Sequence, residues 1–229
     1  VLKSLTVDGV QRIYTSECAN DLWVREVVFP GKRNGYFVEA GAGDGIAFSS
    51  CYLLERQLGW TGICVEPHDW FFAKLQQNRP NSIHANVCLA RTNGVAEYVM
   101  APIGIDTSPY LSGVREALVR YKYRGAEVAA SGVTVAKEAS TLVDLLRRHN
   151  APHEIEYGAF DIEGSEFEAL GDFPFDEYRF LALSCEVDGT IAPQLSDLLA
   201  ANGYVETENP YKRDHPWERY WLHRSVRTS

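Results

Sequence analysis

The residues of this 229-residue chain best suited to chemistry are acidic, and they cluster beside glycine turns. The string FVEAGAGDG, Phe37 to Gly45, joins a strand-like run to alternating glycines and two carboxylates, Glu39 and Asp44. Gly41 and Gly43 allow positive φ and let a ligand approach backbone where a Cβ would clash. A dinucleotide turn requires Gly-x-Gly-x-x-Gly/Ala. Here Ile46 stands where the third small residue belongs, and Glu39 and Asp44 put negative charge where a diphosphate would lie. A plain strand-to-helix turn is the competing reading.

Carboxylates at such a turn suit a ligand with an ammonium or sulfonium and no phosphates, which describes S-adenosylmethionine. Glu66, followed by Pro67 in GICVEP, comes about 20 residues later, where an acid at the tip of a second strand accepts ribose hydroxyls. A solvated strand-end glutamate is the alternative there. The next helix would aim its N-terminus at the methionine carboxylate, with Ser49 as a further donor. Asn86, ending a third strand, is placed to meet the adenine.

A second acidic group lies further on: Asp161, Glu163 and Glu166 in FDIEGSEFEAL, then Glu186 and Asp188. Open α/β sheets bind ligands beyond the carboxyl ends of their strands. Carboxylates converging there repel unless something positive joins them. That could be the sulfonium, a substrate amine or an Mg²⁺-like ion with oxygen ligands. Asp161 and Glu186 are the candidate pair for a metal or acceptor clamp. Asp161, Glu163 and Glu186 are the candidate catalytic residues, since methyl transfer to a hydroxyl needs alignment and a group to take the proton. Glu163 and Glu166 can instead complement the dipole of a short helix. His153 and His215 are loop histidines able to reach a pocket as bases. Tyr110, Tyr121 and Tyr123, with Arg115, Arg120 and Arg124, could hold a sugar-like or acidic acceptor.

Strand-length apolar runs alternating with amphipathic segments position these residues, the signature of a parallel sheet wrapped by helices. Strands are expected at Tyr36–Ala40, Gly62–Val65, Ser82–Asn86, Tyr157–Phe160 and Phe180–Cys185, with an edge strand at Ala96–Met100. Helices are expected at Phe48–Leu58, Asp69–Asn78, Thr141–His149 capped by Ser140, Glu166–Leu170 and Ala192–Ala201. Tyr204–Glu208 and Tyr220–His223 read as a terminal strand pair. Residues 1–35 form an N-terminal lead-in with a helix. Residues 101–139, broken by Pro102, Gly104, Pro109, Gly113, Gly125 and Gly132, read as a lid or substrate-binding insertion, around one helix at Val114–Tyr123. The whole chain is expected to be one domain.

Composition narrows the classes. Hydrophobic residues make up 45% and charged residues 23%, which excludes disordered, collagen-like and coiled-coil chains. A net charge of -9 opposes general nucleic-acid binding. Five cysteines without CxxC spacing argue against a disulfide framework or structural zinc and for a reducing, cytoplasmic setting. No apolar stretch approaches the ~18 residues of a membrane span, and residues 1–30 lack a signal-peptide pattern.

Three blocks in register resemble the FkbM-type methyltransferases, class I enzymes that use S-adenosylmethionine: Ser16 to Gly45, Glu55 to Pro67 and Phe160 to Leu170. The resemblance implies a Rossmann-like α/β fold. Its sheet has seven mostly parallel strands, the last antiparallel, with helices on both faces. It also implies Asp21 near the cofactor, and O-methylation of a hydroxyl on a sugar, glycan or secondary metabolite. Two rivals stay open: a nicotinamide-dependent oxidoreductase, opposed by Ile46 and the lack of a Tyr-x-x-x-Lys pair, and a non-catalytic S-adenosylmethionine-binding module.

Overall fold

The computed structural model describes residues 2–101, 109–121, 124–189, 191–212 and 215–226. A hairpin of β1 (Lys3–Val7) and β2 (Val10–Tyr14) leads to α1 (Asn20–Trp23), which continues as π-helical turns over Val24–Val28. Next come β3 (Tyr36–Ala40), α2 (Tyr52–Leu58), β4 (Thr61–Val65), α3 (Asp69–Asn78) and β5 (Ile83–Ala85). The middle of the chain holds β6 (Cys88–Leu89), β7 (Gly94–Met100), β8 (Gly113–Val114), α4 (Arg115–Arg120), α5 (Gly125–Ser131) and β9 (Val133–Ser140). Alternation then resumes with α6 (Leu142–Arg148), β10 (Glu154–Phe160), α7 (Glu166–Leu170), β11 (Arg179–Glu186) and α8 (Ala192–Ala201). β12 (Tyr204–Thr207) and β13 (Glu218–His223) close it.

Seven strands pair in the order β12-β13-β11-β10-β3-β4-β5. β5, β4, β3, β10 and β11 run parallel, whereas β13 is antiparallel to both neighbours. From β3 the chain moves outward through β4 and β5, and it returns at β10 to build the other half. The gap beyond the carboxyl ends of β3 and β10 is therefore a topological switch point, where such sheets bind ligands. Strand alternation divides the core. Val38, Ile63, Leu183 and Cys185 pack with α6, α7 and α8 on one face. Phe37, Cys64, Tyr157 and Ala182 pack with α1, α2 and α3 on the other.

Three expectations are corrected. α2 begins at Tyr52 rather than Phe48, because Phe48 has φ 63 and the amides a helix would use are taken locally. Asp44 Oδ1 accepts from Ile46 and Ala47, and Ser49 Oγ from Cys51 and Tyr52. Thr141, not Ser140, caps α6, its hydroxyl accepting from Asp144 N at 3.2 Å while Ser140 ends β9. The expected lid is not irregular where it is described. β8, α4, α5 and β9 fill it, and β6-β9-β7-β8 form a second sheet. Residues 102–108 and 122–123, and with them Tyr123, lie outside the described residues. No helix among the described residues is long and apolar enough to cross a membrane.

Candidate active site

A cavity of about 520 Å³ opens at the switch point, bounded by the loops after β3, β4, β10 and β11. The volume falls in the range of small-molecule sites. Gly41 (φ 82) closes one wall, and a Cβ there would lie 1.8 Å from the Asp161 carbonyl oxygen, so only glycine lets the two loops meet. Gly43 (φ 55) faces the cavity beneath Tyr110, whose Cε1 would be 3.0 Å from an added Cβ. The Tyr110 ring packs on Phe71 (centroids 4.5 Å apart) and edge-on to Phe48 (5.2 Å).

Glu66 ties the second strand to this turn. Its carboxylate accepts from Gly43 N and His68 N, both at 2.8 Å, and lines the cavity with Pro67. Burial, partly offset by these amides, pushes it up to about 7. Beyond it, Phe71, Val87, Cys88 and Leu89 form an apolar slot that the sequence reading missed.

Five expected cofactor residues are not among the cavity's lining. Glu39 precedes the last residue of β3, so alternation turns its side chain under α2 and α3. There it pairs with the fully buried Arg79 at 3.0 Å and accepts from Ser49, Ser50 and Cys51. Ser49 is spent on that contact. Asp44 caps the turn through its amides, as above. Asp21, fully buried, holds the chain before α1 by accepting from Thr15 and Ser16. Asn86 donates to the Glu66 and Pro67 carbonyls and accepts from Lys137, bracing the loop from behind. Each of the five shapes a wall rather than reaching inside.

The opposite half of the cavity is acidic. Asp161 follows β10 directly, its amide donating to Ala40 O at 3.1 Å. The residue is solvent-accessible where it lines the cavity, with protein atoms packed densely around it. Burial first, then the neighbouring Glu186 and Glu163 charges and a hydrogen-bonding contact with Glu186, hold its carboxyl well above the usual carboxylate range. Glu186 accepts from Tyr121 Oη at 3.0 Å. Glu163 sits at φ 54, followed by Gly164 at φ 92, a conformation that costs a side chain about 1–2 kcal/mol. Glu166 fixes that bend, its Oε1 accepting from Ile162 N and Gly164 N. Of Asp161, Glu163 and Glu166, the first two line the cavity and the third shapes the loop.

His215 lines the cavity and stands 3.9 Å from Glu17, another lining residue that sequence reading missed. His153 lies just before β10, at the opposite end of the strands from the cavity, stacked on Tyr178. Arg115, Arg120 and Arg124 pair with Glu97, Glu168 and Glu127, away from the cavity. Among the described residues no group of three or more His, Cys, Asp or Glu is arranged to hold a metal ion. The donor set around Asp161 and Glu186 thus does not fit the expected divalent cation.

The methyltransferase FkbM domain family matches residues 39–206. No curated protein matches the chain in sequence. The methyltransferase FkbM from Methylobacillus flagellatus KT shares the fold, with a TM-score of 0.52, 11% identity, 88% of this chain covered and 48% of that one. A METTL16 MTase domain gives a TM-score of 0.47, 12% identity and coverage of 88% and 64%. The precorrin-6y C5,15-methyltransferase from Geobacter metallireducens GS-15 gives 0.45, 10% identity and coverage of 89% and 84%. This chain therefore spans about half of the FkbM structure and just under two thirds of the METTL16 domain. Since the family match extends over most of its length, the chain belongs to the methyltransferase FkbM domain family, a family of S-adenosylmethionine-dependent methyltransferases.

Proposed function

We propose that this chain transfers a methyl group from S-adenosylmethionine to a hydroxyl of a small-molecule or glycan acceptor. One observation carries the reading: a single cavity at the switch point joins a nucleoside-sized half, built on Gly43, Glu66 and an apolar slot, to an acidic half built on Asp161, Glu163 and Glu186. Gly43 leaves room where a Cβ would intrude, Glu66 has lone pairs left for ribose hydroxyls, and Phe71 with Val87 and Leu89 offers apolar surface to a purine.

When bound, the cofactor supplies a methyl on a cationic sulfur, a leaving group that departs as a neutral thioether. The chain's own residues align the acceptor oxygen behind that methyl and take its proton. Asp161, held above the usual carboxylate range by burial and by the Glu186 and Glu163 charges, offers a carboxyl oxygen as the base. A base raised above the ordinary carboxylate range matches a hydroxyl better than an ordinary carboxylate does. As the C–O bond forms, the hydroxyl proton passes to that oxygen. All five cysteines are free thiols, which supports action in a reducing compartment such as the cytoplasm.

Calorimetric titration with S-adenosylhomocysteine tests the cofactor half, with NADH as the comparison ligand. Binding of the first and not the second is expected, and the converse would sink the reading. Binding without methyl release across a panel of hydroxyl-bearing acceptors would point instead to a module that has lost turnover.

A further inference from the structure

Five carboxylates line the cavity: Glu17, Glu66, Asp161, Glu163 and Glu186. Among the described residues no lysine or arginine joins them. On the proposed function, the cofactor brings a sulfonium, an ammonium and a carboxylate, a net single positive charge. Glu66 is satisfied by two amides and faces the ribose end. Glu17 has His215 beside it, and Glu186 has the Tyr121 hydroxyl. Glu163 stands apart. It is 8% exposed, lines the cavity, and makes no hydrogen bond or ion pair with any described residue. Its charged neighbours, Glu186, Glu166 and Glu17, are all acids. The adjoining Gly164 and the tie from Glu166 hold the backbone so that this side chain is kept at the cavity, with φ 54 as the cost.

Burial and these acids hold the Glu163 carboxyl well above the usual range, and an ammonium beside it would favour its ionised form and supply the missing partner. We propose that Glu163 is the docking point for an ammonium group of the acceptor. The substrate class is then an amino alcohol or amino sugar, with a protonated amine close to the hydroxyl that receives the methyl. The same field disfavours phosphorylated acceptors and nucleic acid, since each phosphate would meet like charge at close range. This inference rests on the methyltransferase reading and narrows it to one acceptor chemistry.

The test uses protein saturated with S-adenosylhomocysteine and matched probes: glucosamine against glucose and N-acetylglucosamine, ethanolamine against ethylene glycol, and glucose 6-phosphate. Calorimetry or ligand-observed NMR should show each amine binding at least about tenfold tighter than its neutral counterpart, with no binding of the phosphate. Glu163→Gln should erase that preference while S-adenosylhomocysteine still binds, and Glu163→Asp should restore most of it. A merely structural role for Glu163 would weaken cofactor and probes together. Equal binding of amine and neutral probes, binding by none of them, or an undiminished preference in Glu163→Gln would overturn the proposal. If S-adenosylhomocysteine itself fails to bind the unmodified protein, the methyltransferase reading falls instead.

Discussion

Glu186 and Glu218 stand directly opposite each other in the antiparallel pairing of β11 and β13, two carboxylates side by side at the ligand-binding end of the sheet. Like charges in that relation destabilise a strand pair. Burial first, then the Glu186 charge, pushes Glu218 up to about 8, although Asn20 Nδ2 donates to it at 2.7 Å. Folded Glu218 therefore keeps a proton that the unfolded chain loses near its ordinary value of about 4.3. The resulting stability is full below that value and is lost as pH rises through about 8.

Urea unfolding at about pH 5 and about pH 8.5 should accordingly show lower stability at the higher pH. Glu218→Gln keeps the Asn20 contact and removes the titration, so its profile should be flatter. His68 and His223 are depressed by burial and act in the opposite sense below about 6.5, and they cancel when variant and wild type are compared. Parallel profiles for the two proteins would show that Glu218 is ionised in the fold.

On the proposed function, Glu66 governs affinity for the cofactor half. Truncation in Glu66→Ala removes the ribose acceptor and strands the Gly43 and His68 amides, a loss of about 1–3 kcal/mol for each unsatisfied group. S-adenosylhomocysteine affinity should fall by about tenfold or more. With Glu66 pushed up to about 7, wild-type affinity should rise between about pH 6 and about pH 8 as the carboxyl ionises. A flat pH dependence together with unchanged affinity in Glu66→Ala would remove Glu66 from the site.

Arg79 is the hidden support of the glycine turn. It is fully buried, 2.6 Å from Glu55 and 3.0 Å from Glu39, and its side chain packs where a Cβ on Gly45 would fall. Arg79→Met leaves two buried carboxylates without their cation, which costs about 3–5 kcal/mol. Denaturant unfolding should show that loss. A variant carrying Glu39→Gln and Glu55→Gln as well should recover part of it, because the orphaned charges are gone.

The sequence reading was strongest where periodicity repeats over a whole element. α3, α7 and α8 begin and end at the expected residues, and the parallel strands fall where the apolar runs place them. It failed where glycines do not break structure. Gly125 and Gly132 read as breakers by composition, yet a Cβ on Gly125 would meet Leu118 O at 2.2 Å, and one on Gly132 would meet Val99 Cγ1 at 2.4 Å. Gly125 opens α5 and Gly132 joins α5 directly to β9, so both are close-packing glycines at the ends of regular elements, a property that local composition does not carry. The same limit separated the acids. Glu39 and Glu66 look alike as strand-end carboxylates, but one position of strand alternation sends Glu39 beneath the helices and leaves Glu66 at the cavity. Glu17 and Arg79 had no local signal, since only the tertiary fold brings them to their partners.

Asp161 offers the sharpest separation of binding from chemistry. Its backbone carbonyl abuts Gly41, while its carboxyl meets Glu186. Asp161→Asn keeps the size and the loop contacts but replaces the carboxyl with an amide that cannot accept a proton. Turnover on any competent acceptor should therefore drop by about 10²–10⁴-fold, the usual contribution of a positioned base. S-adenosylhomocysteine affinity should change far less, because the ribose and purine contacts proposed for Glu66, Phe71, Val87 and Leu89 lie on the opposite wall. Glu186→Gln should reproduce the loss of turnover, and the double variant should be little worse than either single one if the two carboxyls act as one unit. Full activity in Asp161→Asn would show that alignment alone drives the transfer. Additive losses would show that the two residues act separately.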